Sequence, residues 1–226
     1  MITIAEDVSS FPGIALSIEQ GGIGFDYRLN MAIPDFWINH LKNVREEDWD
    51  IYKIVDTYKW VRHPEKVISY CESHDQSIVG DKTIAHWLFD SEIYYNMSKL
   101  QPNTPVRFRG IALHKIIRFL SLMLGDGYLC FIGNEFGHPE WVDFPRAGNN
   151  WSYHYCRRQW SLRDNDTLIY NDLWKFDRDM IHLASQLKLQ EQWQKTYVDF
   201  VPEHKVVTFE GDCFLIVFNL HPTEVR

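Results

Sequence analysis

The chain lacks any continuous apolar run of about 18 residues, the length at which a helix can cross a bilayer, so no membrane-spanning segment is expected. Its first residues, Met1-Ile2-Thr3-Ile4-Ala5-Glu6-Asp7, have neither the basic start nor the long apolar centre of a secretory leader. There is no basic run either, and 31 acidic side chains outnumber 23 Lys and Arg to give a formal net charge of -8. Nucleic acid and anionic membranes, which need clustered cations, are therefore not expected partners. Only 4 cysteines occur in 226 residues, at Cys71, Cys130, Cys156 and Cys213, with no C-x-x-C pair and no metal-like spacing to histidine. Three of them sit in apolar segments, where a free thiol behaves as a small hydrophobe. A reduced, cytoplasmic protein without metal or cofactor follows. Two glycine-containing stretches fail as nucleotide motifs. Gly21-Gly22-Ile23-Gly24 precedes its strand, and Gly80-Asp81-Lys82-Thr83 lacks the Gly-Lys-Thr order of a P-loop. Internal repeats and low-complexity segments are absent.

What the chain has is apolar and aromatic mass. Hydrophobic residues make up 45%, with 9 Trp, 14 Phe and 11 Tyr, enough for a sizeable core in one large domain, or one domain with a small appendage. Short apolar runs end in polar residues and give way to helical periodicity. Ile2 to Ala5 ends at Glu6-Asp7; Gly24 to Leu29 is followed by Pro34 and a helix start at Phe36-Trp37-Ile38. Val67 to Cys71 ends at Glu72-Ser73-His74-Asp75, and Tyr128 to Ile132 at Gly133-Asn134-Glu135. Runs of this length predict strands covered on both faces, as in a parallel sheet. Leu113, Ile116, Ile117, Leu120 and Leu124 predict a helix with His114, Lys115 and Arg118 opposite, stopped by Gly125 and Gly127. Leu173, Phe176, Met180, Leu183 and Leu187 predict the face of another. The alternation is that of right-handed βαβ units. Beyond residue 195 the pattern changes. Lys205 to Phe209 and Cys213 to Asn219, around Glu210-Gly211-Asp212, predict a β-hairpin.

Glu6, Asp7, Glu72, Asp75 and Glu135 all fall at the carboxyl ends of these strands, the edge where α/β sheets bind ligands. Carboxylates gathered there without metal-ligand spacing suit acid/base work on a neutral, hydroxyl-rich substrate. Each one alone reads first as a helix cap or a loop carboxylate paired to Arg; Glu6 and Asp75 together favour the functional reading. His74 reads as a substrate-orienting imidazole or as a strand-end histidine satisfied by a carbonyl. The stretch from Asn134 to Ser161 is rich in Gly, Pro and aromatics and reads as an ordered functional loop. Its Trp141, Phe144, Trp151, Tyr153, Tyr155 and Trp160 suit a sugar groove, since pyranose faces pack on flat rings, or serve as ordinary loop anchors.

Longer motifs carry a resemblance. Thr3-Ile4-Ala5-Glu6-Asp7-Val8-Ser9 and Glu72-Ser73-His74-Asp75-Gln76 resemble two conserved regions of the α-amylase superfamily. Within it, the flanking segments are similar to eukaryotic-type 1,4-α-glucan branching enzymes of glycogen and starch biosynthesis. They are Gly22 to Leu29, Val79 to Ala85, Gly133 to Trp141, Asp143 to Arg146 and Cys156 to Leu162. The resemblance implies an α/β fold: the carboxyl-terminal half of a (β/α)8 TIM barrel, strands five to eight, over residues 1–195. Residues 196–226 would open an all-β sandwich domain. It implies retaining transglycosylation, moving an α-1,4-glucan segment to a 6-hydroxyl to make an α-1,6 branch. Glu6 would be the general acid and then the base, with a raised pKa. Asp75 would stay ionised and support the oxocarbenium-like transition state, and His74 would hold the sugar. The implied partner is an α-glucan, in the cytoplasm or, in a plant or alga, a plastid.

One departure qualifies this. The family's nucleophilic Asp lies in a Gly-Phe-Arg-x-Asp-type motif at the fourth strand, and no such motif occurs here. The chain begins inside a strand, without the first four, so the isolated chain is expected to be inactive. Its open barrel edges would pair with an amino-terminal half or with another copy. Rival readings are a non-catalytic remnant that binds α-glucan or a protein partner, and a fragment of a hydrolase of the same superfamily.

Overall fold

Two sheets and the helices packed on them make up the structure, a computed structural model that describes residues 1–9, 11–78, 82–140 and 143–223. In the first sheet, strands β1 (Ile4–Ala5), β2 (Tyr27–Leu29), β3 (Val67–Ser69) and β4 (Gly127–Tyr128) lie side by side in chain order. All neighbours are parallel, with Ile4 opposite Tyr27, Arg28 opposite Val67 and Ile68 opposite Gly127. Parallel neighbours need a crossover, and the helices supply it. α1 (Ala32–Asn43) and α2 (Ile51–Lys59) join β2 to β3. α3 (His74–Ile78), α4 (Ile84–Phe89), α5 (Glu92–Tyr95) and α6 (Pro105–Met123) join β3 to β4. After β4 come α7 (Trp160–Asp164), α8 (Ile169–Leu187) and α9 (Leu189–Gln192). The second sheet is antiparallel: β5 (Tyr197–Val201), β6 (Val206–Glu210) and β7 (Leu215–Asn219).

The expected strands are present but shorter. The run predicted over Ile2 to Ala5 pairs only at Ile4 and Ala5, and the one over Tyr128 to Ile132 only at its first residue. The expectation of cover on both faces holds for β3, whose residues are all buried, and fails for β1. Ile2 and Ile4 are exposed, while Ala5 is buried, so β1 at the edge of the sheet is covered on one side only.

The two long helices are the predicted ones, with different inner faces. Thr104 caps α6, its hydroxyl accepting from the Arg107 N–H, and Pro105 fits the first turn, where no N–H is needed. Leu113, Ile117 and Leu120 face the core as expected. His114 and Arg118, expected on the opposite, solvated face, are buried too, because α8 packs on that side. On α8 the inward row is Leu173, Asp177, Met180 and Ala184, while Leu183 is exposed. Asp177 displaces the apolar register by pairing with Arg118. α6 and α4 meet at Gly110, where an added Cβ would stand 2.7 Å from two ring carbons of the buried Phe89. Gly110→Ala is therefore expected to destabilise the chain by about 1–3 kcal/mol through overpacking, read as a lower urea midpoint at unchanged slope.

β6 and β7 form the hairpin predicted near the end, with β5 as a further strand that its Asp199 concealed. This sheet packs on α6 through Phe218, 5.5 Å from the Phe119 ring, and on α2 through Phe200, 4.4 Å from Tyr52. Lys205 Nζ donates to the Trp49 carbonyl at 2.7 Å. Val207, Phe209 and Phe218 belong to the same buried cluster as Trp49 and Leu120. Of the thiols, Cys71 alone is buried; Cys156 is half-buried, Cys130 and Cys213 are exposed, and all are free.

Candidate active site

Parallel strands aim their carboxyl ends the same way, so the residues just past β1 and β3 meet at one edge of the sheet. Glu6 follows β1 directly and is exposed. Past β3 the chain runs Tyr70-Cys71-Glu72-Ser73 into α3, with His74 and Asp75 in its first turn. That turn is fixed locally. The Ser73 N–H donates to Gln76 Oε1 at 2.7 Å, and the Asp75 N–H donates to Ser73 Oγ at 3.3 Å. His74 Nε2 lies 3.2 Å from Asp75 Oδ1, both side chains being partly exposed. The imidazole lies near Phe131 and Phe144, 5.9 and 6.2 Å between ring centres. Phe144 thus brings the aromatic loop over the His74–Asp75 pair.

Tyr70 shows what converges here. Its ring is buried, and burial pushes the phenol well above its usual range; the negative charges of Glu6, Asp75 and Asp35 push it the same way. The charges of the two carboxylates expected to act together are thus both felt at one phenol. Sequence reading missed Tyr70 and Asp35. Tyr70 was absorbed into an apolar run, and Asp35, in the first turn of α1, looks like a charge placed to suit the helix dipole.

The other acidic candidates have local work. Asp7 accepts from the Ser9 hydroxyl at 2.8 and 2.9 Å, which holds its carboxyl below the ordinary range. Glu135 accepts from the Gly133 N–H at 2.7 Å, in a turn where Gly133 takes φ 92 and a side chain would collide with Arg158. Glu72 is buried and accepts from the Ile84 N–H at 2.8 Å, tying the end of β3 to α4. In the aromatic loop, Trp151 and Tyr153 stand in solvent, while Trp160 packs on Phe136 and under Arg163. Trp141 and the Val79-Gly80-Asp81 part of the motif fall outside the described residues. Among the described residues no group of three His, Cys, Asp or Glu could hold a metal ion, and no helix is long and apolar enough to cross a membrane.

Buried titratable groups predict a pH profile. Burial, partly offset by the Ile84 bond and by Arg118 and Arg158, pushes Glu72 up to about 7 from its ordinary 4.5. Its folded form holds a proton more tightly than its unfolded form, so its contribution is complete below about pH 4.5 and lost as pH rises through 7. Burial lowers His40 and His138 to about 4 and His114 to about 3, from 6.5. Their contributions are complete above about pH 6.5 and lost on acidification toward those values. Stability is expected to rise from acid pH and level off near neutrality, the three histidine gains outweighing the Glu72 loss. Glu72→Gln keeps an acceptor for Ile84 and removes the alkaline loss, so at pH 8 it is expected to stabilise by on the order of 2–3 kcal/mol, and by nothing at pH 4.5. Urea titrations at the two pH values check this; an equal gain at both would sink it.

Parallel strands in consecutive order, with carboxylates, an imidazole and aromatic rings at their carboxyl ends, define an α/β protein with its candidate chemistry on one sheet edge. No family model matches the chain. Individual relatives do. The chain is 55% identical over 226 residues, 99% of its length, to the 1,4-alpha-glucan-branching enzyme of Rhizophagus irregularis, and spans 33% of that protein. It is 54% identical over 230 residues to that of Felis catus, covering 99% of this chain and 32% of the relative. A relative from Oryza sativa subsp. japonica, named 1,4-alpha-glucan-branching enzyme, chloroplastic/amyloplastic, is 52% identical over 222 residues, covering 98% of this chain and 27% of the relative. The chain belongs to the family of 1,4-alpha-glucan-branching enzymes and spans about a third of the length of the curated relatives it matches.

Proposed function

We propose that the chain supplies the acid/base and charge-stabilising part of a glycogen or starch branching enzyme. Residues 1–195 would be strands five to eight of its (β/α)8 barrel, and residues 196–226 the start of its β-sandwich. The observation that carries this reading is the placement of Glu6 directly after β1 and of the His74–Asp75 pair just beyond β3, at the same edge of one parallel sheet. The consecutive parallel order of β1 to β4 supports the barrel, and identities of 52–55% support the chemistry.

The roles follow from position. A carboxylate on the part of the barrel that these residues do not make attacks the anomeric carbon of an α-1,4-linked chain. Glu6, whose carboxyl would stand about 5–5.5 Å from that of the nucleophile as in retaining enzymes, donates its proton to the departing glycosidic oxygen. Glu6, then ionised, takes the proton from a 6-hydroxyl of an acceptor chain as that oxygen attacks the covalent intermediate, and an α-1,6 branch results. Asp75 stays ionised and faces the positive charge developing on the sugar ring. His74, held against Asp75 and flanked by Phe131 and Phe144, orients the same sugar. The chain by itself lacks the nucleophile, so the covalent step needs the amino-terminal half; the open edges at β1 and β4 are where that half, or a second copy, would add. The cytoplasm is the compartment this reading implies, or a plastid for a plant or algal source, as the rice relative's name states for that protein.

The test joins the preceding segment of the Rhizophagus irregularis relative to residue 1. The joined protein is expected to raise the number of chains released from amylose by a debranching enzyme, while the unjoined chain raises none. Reducing ends that rise without new branches would assign a hydrolase instead. A folded joined protein that turns over no glucan would leave only a binding role.

A further inference from the structure

Pairing between β3 and β4 reaches Tyr128, and the Leu129 N–H adds one bond, to the Ser69 carbonyl at 3.0 Å. Phe131 and Ile132 then run clear of the sheet, and a turn closes behind them as the Asn134 N–H donates to the Phe131 carbonyl at 3.0 Å. A stretch outside the ladder and partly in solvent has little of its own to fix it. What fixes it comes from the far end of the aromatic loop, just before α7, as the side chain of Arg158.

Arg157 and Arg158 are sequence neighbours with opposite surroundings: Arg157 is exposed, and Arg158 is only 7% exposed. Arg158 Nε donates to the Ile132 carbonyl at 2.7 Å, and the guanidinium lies 5.6 Å from the centre of the Phe131 ring. One planar group thus holds a backbone carbonyl and the neighbouring ring together. The backbone beside it is pinned as well, the Gln159 N–H donating to Nε2 of the buried His138 at 3.0 Å. Gly133 leaves the room, since a side chain there would collide with Arg158 Nε and Cδ. Burial disfavours the cation, and Glu135, Glu72 and Glu140 offset only part of that. Its buried Nη1 finds no hydrogen-bond partner among the described residues. An arginine kept under these conditions is explained by the two contacts it makes rather than by stability at large.

Those contacts lead to the candidate active site. Phe131 is a ring beside His74, 5.9 Å between centres, and His74 Nε2 meets Asp75 Oδ1 at 3.2 Å. We infer that Arg158 is a positioning residue for His74, acting through Phe131 and without touching substrate. The inference rests on the role proposed above for His74 and adds to it the group that sets the imidazole in place. Lysine at this position keeps the positive charge that Glu72, Glu135 and Glu140 face, but it has no plane with which to hold a carbonyl and a ring at once. Arg158→Lys therefore separates the positioning from the charge.

Two measurements test this. In the 226-residue chain, the His74 ring resonances, assigned by their loss in His74→Gln, are expected to carry a ring-current shift from Phe131. Phe131→Leu should abolish that shift and Arg158→Lys should remove most of it, while Arg157→Lys leaves it in place. In the joined enzyme, Arg158→Lys is expected to lower kcat about tenfold with KM within about twofold, since a misplaced imidazole is felt mainly in the transition state. On top of His74→Ala the same change should lower kcat by less than about twofold, because no imidazole is left to position. A merely structural arginine would give losses that multiply. Where Arg158→Lys lowers the urea midpoint, Phe131→Leu must reproduce both results with Arg158 in place. The inference is overturned if the His74 resonances keep their parent positions in Arg158→Lys, or if its loss multiplies with that of His74→Ala. Failure of the branching reading has a different signature, a joined enzyme that forms no branches while Arg158→Lys still moves the His74 resonances.

Discussion

Replacing Asp177 with alanine is expected to destabilise the chain by about 3–5 kcal/mol, the largest single effect anticipated on its stability. The Arg118 and Asp177 side chains are 2% and 7% exposed and lie between α6 and α8. Asp177 Oδ1 accepts from Arg118 Nη2 at 2.5 Å and from Nε at 3.1 Å. The guanidinium also donates to Cys130 Sγ at 3.2 Å and lies over the Tyr128 ring, which ties both helices to the end of β4. Removing the aspartate leaves a cation that cannot shed its proton in a place that water does not reach. Arg118→Met is milder, because an isolated Asp177 can take a proton and become neutral. Arg118→Met with Asp177→Leu replaces the pair by apolar side chains of similar size and should recover most of the loss. Urea unfolding of the three variants reads the order directly. An Asp177→Ala cost under about 1 kcal/mol would show that the pair is not the constraint its burial suggests.

That pair also marks where the sequence stops being readable. The spacing of Leu113, Ile117 and Leu120 identifies α6 and its inner face, because one apolar stripe at period 3.6 means burial on one side. It says nothing about a helix buried on a second side by polar contacts. Arg118 and His114 look like surface residues until Asp177, which accepts from Arg118, and the Asn134 carbonyl, which accepts from His114, are placed beside them. Leu183 misleads in the converse way: it belongs to an apolar row on α8 whose Leu173 and Met180 are buried and whose Phe176 and Leu187 pack on the core, yet it is itself exposed. The strands were found by composition, but their length is set by how many residues reach a partner. At β4 the glycine turn at Gly133 and the Glu135 bond to it take over soon after Tyr128. At the site, Glu6, His74 and Asp75 stood out because strand ends are where side chains of different strands meet. Asp35 and Tyr70 did not, because the charges felt at the buried Tyr70 come from elements far apart in the chain.

Glu6 and Asp75 should then separate by the substrate used. In the joined enzyme described above, Glu6→Gln is expected to lower the turnover of amylose by about a thousandfold or more, since the glycosidic oxygen leaves poorly without a proton. With α-maltosyl fluoride as donor the leaving group needs no proton, and formation of the covalent intermediate by Glu6→Gln should stay within about tenfold of the parent. The second step, which needs Glu6 as base, stays slow, so the intermediate accumulates. Asp75→Asn should lower both donors alike by about a hundredfold to a thousandfold, because the charge it opposes develops on the ring whatever leaves. Neither change should disturb the fold. Glu6 is exposed, and the Asp75 side chain is 37% exposed, anchored through its backbone by Ser73. Rapid-quench measurement of fluoride release and of trapped glycosyl-protein distinguishes the roles. If Glu6→Gln lost the fluoride reaction as completely as the amylose reaction, Glu6 would not be the acid, and the carboxylate that donates the proton would have to be sought among Asp35, Asp7 and Asp75.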